Sequence, residues 1–326
     1  MEETKQQPLG LRVCAELAGS FLLCFAIYAF STWGSAVYGV NVVFMAVATG
    51  LAYAVVTAIF SRISGGQFNP AVTVAAVLTS KTKLVDGVLY VIAQVIGAIA
   101  AGFAVVKLLP TSEQVTSTVW LSPAVNGFEK GSVSYSLLTQ YGITFSITLA
   151  IVVEVVASLI VVAAAMSTMG KNGEGSDRYT ATMGIAYAIA VAISYPVTGA
   201  GLNPARSTGI AVATVNEGLT QNPLQQLWVF WIAPVLAAAV VALVMIIVQM
   251  ATTAKPKAEP TDEGDMADLE DADEQAAEDS AEDGVAEQAI EAEVRDQQAD
   301  AESNADGGRL LWVIRSGGRQ TSGSSA

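Results

Sequence analysis

The chain has 326 residues, 52% hydrophobic and 14% charged, a balance too apolar for a soluble domain, where charged residues approach about a quarter. The net charge of -14 is confined to one end: residues 1–254 carry 10 Lys and Arg against 10 Asp and Glu, residues 255–326 carry 6 against 20. Histidine is absent, which removes imidazole metal sites, Ser-His and Cys-His catalysis and histidine proton relays. The composition predicts an integral membrane protein; no nucleophile–base pair or metal-ligand cluster appears in the sequence, so no enzyme activity, cofactor or metal is expected, nor a nucleic-acid partner, and the spans below make the expected fold all-α.

A spanning helix needs about 20 mostly apolar residues, and six segments meet that requirement: 11–30, 41–60, 84–109, 143–167, 179–197 and 227–250. Two shorter apolar runs, 70–80 and 204–213, reach about 15 Å at 1.5 Å per residue, half of an apolar layer about 30 Å thick. They read as re-entrant half-helices. The first run follows a short charged end and lacks a small-residue cleavage site, so it is expected to stay as the first span and not to be removed as a secretory signal. Cys14 and Cys24 share that span, about 15 Å apart along its axis and too far for a bridge.

Six full spans put both ends on one side. Lys5, Arg12, Arg62, Lys81, Lys83, Lys171, Arg178, Lys255 and Lys257 fall at that side, against Lys107, Lys130 and Arg206 on the other. The excess of positive charge predicts cytoplasmic termini in a multi-pass protein of the cell membrane. The layout is then a cytoplasmic N-terminus over 1–10, a membrane body over 11–250 and a tail over 251–326. From 255 to about 306 the tail is a run of Glu, Asp, Ala and Gln that buries too little surface to offset ordering entropy, so it is expected to be disordered or transiently helical. The apolar stretch 310–314, between Arg309 and Arg315, is too short to span.

The body repeats itself, at about 11–109 and about 143–250. Glu16 with Gly19 and Ser20 in the first span is matched by Glu154 with Ala157 and Ser158 in the fourth. Asn69, Pro70 and Ala71 are matched by Asn203, Pro204 and Ala205, and the stretch 92–98 of the third span by 232–238 of the sixth. Each half has three spans, an odd number, so the second copy enters the membrane inverted.

Each Asn-Pro-Ala triplet reads as a helix start: Asn is a favoured N-cap, Pro is favoured at the first helical position, and the glycines at 65, 66, 199 and 201 supply the bend before it. Inversion points the two starts at each other near the midplane. Two positive helix ends and two Asn amides offer N–H donors to a passing neutral oxygen and repel cations. Irregular backbone at membrane depth must line a water path or be packed in protein, so the loops before the triplets are expected to wall a pore. Glu16 and Glu154 are intramembrane carboxylates, read as acceptors for the backbone N–H groups of those loops.

The two segments Ser64 to Thr73 and Gly201 to Thr208 resemble the two signature loops of the aquaporin, or major intrinsic protein, family, over roughly residues 10–250. The resemblance implies six tilted helices plus two half-helices in a right-handed bundle, one pore per chain and a homotetramer in the bilayer. Carried over by position, it implies a selectivity constriction of Thr49, Val191, Ala200 and Arg206. Water-selective relatives carry an aromatic ring and a histidine where this chain has Thr49 and Val191, so a wider, less polar opening is expected, with Arg206 still excluding cations. Glycerol-conducting relatives usually place Asp where this chain has Ser207. The reading is a passive channel for water and small uncharged solutes such as glycerol and urea. A coupled secondary transporter and a membrane scaffold acting through the acidic tail are the alternatives.

Overall fold

The computed structural model describes residues 6–252. The acidic tail, the 310–314 stretch and residues 1–5 lie outside the described residues. The six expected spans are α1 (Leu9–Thr32), α2 (Val42–Ser64), α4 (Leu84–Leu108), α7 (Ile147–Thr168), α8 (Tyr179–Thr198) and α10 (Val229–Thr252), each long and apolar enough to cross a bilayer. The half-helices are α3 (Pro70–Leu78) and α9 (Pro204–Thr214), and the α4–α7 connection holds two short helices, α5 (Ser117–Leu121) and α6 (Val133–Leu138).

Caps set the boundaries. Asn41 accepts from the Phe44 N–H at 2.9 Å to start α2, and Ser146 accepts from the Leu149 N–H at 3.1 Å, which starts α7 four residues later than the apolar run suggested. Both α2 and α8 stop at a left-handed glycine, Gly65 at φ 93° and Gly199 at φ 73°. At the end of α1, Ser31 and Thr32 donate back to the Ile27 and Tyr28 carbonyls at 2.9 and 2.8 Å, so polar residues stay paired inside an apolar helix.

Small residues govern the packing. The helices pair as α1 with α4, α2 with α8, α4 with α9, and α10 with α7 and α3. At the α1–α4 crossing a Cβ on Gly97 would run into the Leu17 carbonyl. At the α2–α8 crossing a Cβ on Gly50 would stand 2.5 Å from the Gly184 oxygen, and one on Gly184 2.9 Å from the Ala54 Cβ. The small residues Gly97 and Gly184 are therefore used within the chain. Large apolar side chains point outward instead, among them Val43, Val47, Leu51, Val55 and Ile59 along α2, as a lipid-facing surface requires. Gly50→Val is expected to destabilise the fold by about 1–3 kcal/mol, because a backbone carbonyl has no way to yield to the new methyls. Thermal unfolding in detergent checks this, and a wild-type midpoint would show that the crossing is loose.

Candidate functional site

The site is built where α3 and α9 begin. Asn69 Oδ1 accepts from the Ala71 N–H at 2.8 Å, and Asn203 Oδ1 from the Ala205 and Arg206 N–H groups at 3.0 and 3.2 Å. Pro70 and Pro204 occupy the first helical positions, and both triplets are buried throughout. The helices are about 14 and 17 Å long at 1.5 Å per residue, so each ends within the layer. They meet head to head: Asn69 Nδ2 donates to the Leu202 carbonyl at 3.0 Å and Asn203 Nδ2 to the Phe68 carbonyl at 2.7 Å. Phe68 and Leu202, the residues before each Asn, both hold positive φ, 49° and 54°. That conformation is costly for a side-chain-bearing residue, and it persists because the surroundings fix it.

The fixing groups are the two carboxylates. Glu16 accepts from Ser64 Oγ (2.6 Å), the Gln67 N–H (3.0 Å), the Phe68 N–H (2.8 Å) and Gln94 Nε2 (2.8 Å). Glu154 accepts from Thr198 Oγ1 and from the Gly201 and Leu202 N–H groups, both at 2.8 Å. Both are fully buried. The loop residues are buried, and the carboxylates supply acceptors for their amides.

Thr49, Val191, Ala200 and Arg206 come from α2, α8, the loop before α9, and α9 itself, and all four line one cavity that ends at Asn203. Met45 and Tyr195 join the lining of this partly open cavity of about 20 Å³. The Arg206 guanidinium, nearly buried, donates to Asn126 Oδ1 and lies 5.8 Å from the Tyr28 ring centroid. Asn126 belongs to the α4–α7 connection, whose chain therefore reaches into the site. It also accepts from Ser207 Oγ at 2.9 Å and donates to the Gly199 carbonyl at 2.9 Å, and Gln221 Nε2 anchors its carbonyl at 2.8 Å. Nothing in the local sequence around Asn126 marks it, since its partners lie more than seventy positions away.

Two tyrosines escaped the sequence reading altogether. Tyr53 on α2 and Tyr187 on α8 stack with ring centroids 3.2 Å apart and planes 8° from parallel. Asn69 Nδ2 donates to Tyr187 Oη at 2.7 Å and Asn203 Nδ2 to Tyr53 Oη at 2.9 Å. The signal was present as spacing: each tyrosine stands sixteen positions before an Asn of a triplet and three after a glycine, Gly50 or Gly184.

On the opposite face, a cavity of about 180 Å³ is lined by Arg12, Arg62, Lys81, Lys83, Lys171, Asp86 and Glu174 among others. Arg12 pairs with Asp86 at 2.8 Å. Lys81 Nζ donates to the Met169 carbonyl at 2.5 Å, tying the α3–α4 turn to the end of α7, and burial pulls its ammonium below the ordinary value against the opposing charge of Glu174.

Paired half-helices opening toward each other inside six spans, with a guanidinium on one approach, define a multi-pass membrane channel, not an enzyme. A family model described as major intrinsic protein matches residues 3–245, and the chain belongs to that family. It is 31% identical to aquaporin Z of Photorhabdus laumondii over 233 residues, covering 70% of this chain and 93% of that protein. It is 29% identical to glycerol uptake facilitator protein-like 6 of Lactiplantibacillus plantarum, covering 70% and 93%. In fold it is similar to the aquaglyceroporin from Plasmodium falciparum, with a TM-score of 0.53 at 17% identity, covering 74% of this chain and all of that one. The chain is a passive channel for water or small solutes.

Proposed function

We infer that this channel passes both water and small uncharged solutes such as glycerol and urea, and excludes protons and ions. One observation carries the reading: Thr49, Val191, Ala200 and Arg206, drawn from four separate stretches, line a single cavity that leads to Asn203. Three of the four offer no hydrogen-bond donor beyond a threonine hydroxyl, so apolar carbon on a solute is tolerated, while Arg206 and two helix N-termini set a positive field against cations. Relatives named for water and for glycerol, at 31% and 29% identity, support both permeants. Asn69 and Asn203 would orient the permeant at the midplane. The reading includes a homotetramer, with both termini cytoplasmic and the Arg206 face outside. Glu16 and Glu154 spend their oxygens on loop donors, which speaks against a proton-coupled transporter.

The test is stopped-flow light scattering on proteoliposomes, comparing osmotic water flux with glycerol and urea uptake. The Thr49→Phe, Val191→His double variant is expected to keep water flux and to lose solute uptake by about tenfold or more, since a ring refills the cavity. Solute uptake unchanged in that variant would move the selecting point elsewhere, and a flux that followed a proton or sodium gradient would replace the channel with a transporter.

A further inference from the structure

The stacked tyrosines occupy the one place where a permeant must meet both asparagines. An Asn amide has two N–H donors. Asn69 gives one to Leu202 O and one to Tyr187 Oη; Asn203 gives one to Phe68 O and one to Tyr53 Oη. Their carbonyl oxygens are taken by the first amides of the half-helices. No amide donor is left for a passing oxygen, and the phenol hydroxyls hold the positions that a permeant's oxygen would take. Rings 3.2 Å apart admit no water between them. The cavity on the Arg206 face is bounded by Tyr53, Tyr187 and Asn203, and Asn69 lines neither it nor the cavity on the Lys81 face.

The placement is built into the repeat. Gly50 and Gly184 let α2 and α8 approach closely enough for one helix's Cβ position to meet the other's backbone, and a tyrosine follows each glycine by three positions, one turn along and near the same face. The inverted halves therefore present the two rings to each other, and each hydroxyl reaches the triplet of the opposite half.

We propose that Tyr53 and Tyr187 form a two-ring plug at the midplane that sets the rate of conduction, each hydroxyl standing in for the permeant on an asparagine amide until the rings part. The proposal rests on the reading of the chain as a water and solute channel. Conduction then requires breaking two hydrogen bonds and one ring stack, and the barrier belongs to this step and not to Arg206. Permeants that succeed are those whose oxygen replaces a phenol hydroxyl as acceptor, which water and alcohols do.

The full chain is reconstituted in proteoliposomes, and water permeability per channel is read for wild type, Tyr53→Val/Tyr187→Val and Tyr53→Phe/Tyr187→Phe. The valine pair is expected to raise permeability by about tenfold or more and to flatten its temperature dependence. The phenylalanine pair keeps the stack and loses only the two hydroxyl bonds, so its permeability is expected to fall between wild type and the valine pair. Equal and fast flux in wild type and the valine pair overturns the plug and leaves the channel standing. No flux in either, with both monodisperse and melting alike, overturns the channel reading and the plug with it. If the valine pair fails to fold, the wild-type protein decides: a steep temperature dependence supports the plug, and one as shallow as free water diffusion overturns it.

Discussion

Glu154→Ala is expected to lower the thermal unfolding midpoint in detergent by about 6–12 °C, from a loss of about 3 kcal/mol. The variant strips the only described partner from two backbone amides, Gly201 and Leu202, and leaves the Thr198 hydroxyl only the Ser194 carbonyl at 3.0 Å. Each orphaned buried donor costs about 1–3 kcal/mol, offset in part because a carboxylate no longer has to be held there. Leu202 sits at φ 54° and donates to that carboxylate while its carbonyl accepts from Asn69, so releasing it also frees the start of α9. Glu154→Gln keeps one acceptor oxygen and should lose about half as much. A midpoint unchanged in the alanine variant would mean that helix packing alone shapes the loop.

Arg206→Val is expected to raise cation and proton leak by about tenfold or more and to speed glycerol and urea entry. At an effective dielectric near 20, a unit charge about 4 Å from a permeating cation opposes it by roughly 4 kcal/mol. The two helix ends remain after the substitution, with about half a charge each, so part of the barrier survives. The guanidinium is held by Asn126 Oδ1, and that oxygen also accepts from Ser207. Asn126→Ala should therefore give a weaker version of the same leak without removing charge. Both are best read in the Tyr53→Val/Tyr187→Val background, where the approach past Arg206 becomes the narrowest stretch left, with a pH-sensitive dye inside the vesicles. Tight vesicles in Arg206→Val would assign ion exclusion wholly to the half-helix ends.

Much of the machinery was legible as local chemistry. The triplets announce themselves because an Asn N-cap followed by Pro has one meaning at the head of a short apolar run. Glu16 and Glu154 were findable because a carboxylate in a span must be doing something. The four lining positions needed the family resemblance, since nothing about Thr49 or Val191 taken alone suggests a channel wall. Asn126 was out of reach for a different reason: it lies in a connection with no periodicity, and its value comes from Arg206, eighty positions on.

Sequence alone determined the six spans, the two half-helices and their inversion, because hydrophobic length, helix caps and an odd number of spans per half are local or countable properties. Tertiary structure decided what fills the centre. Tyr53 and Tyr187 lie on different helices, 134 positions apart, and their stack exists only because Gly50 and Gly184 bring two backbones within reach. A close crossing depends on both helices at once, and no single stretch of chain encodes it.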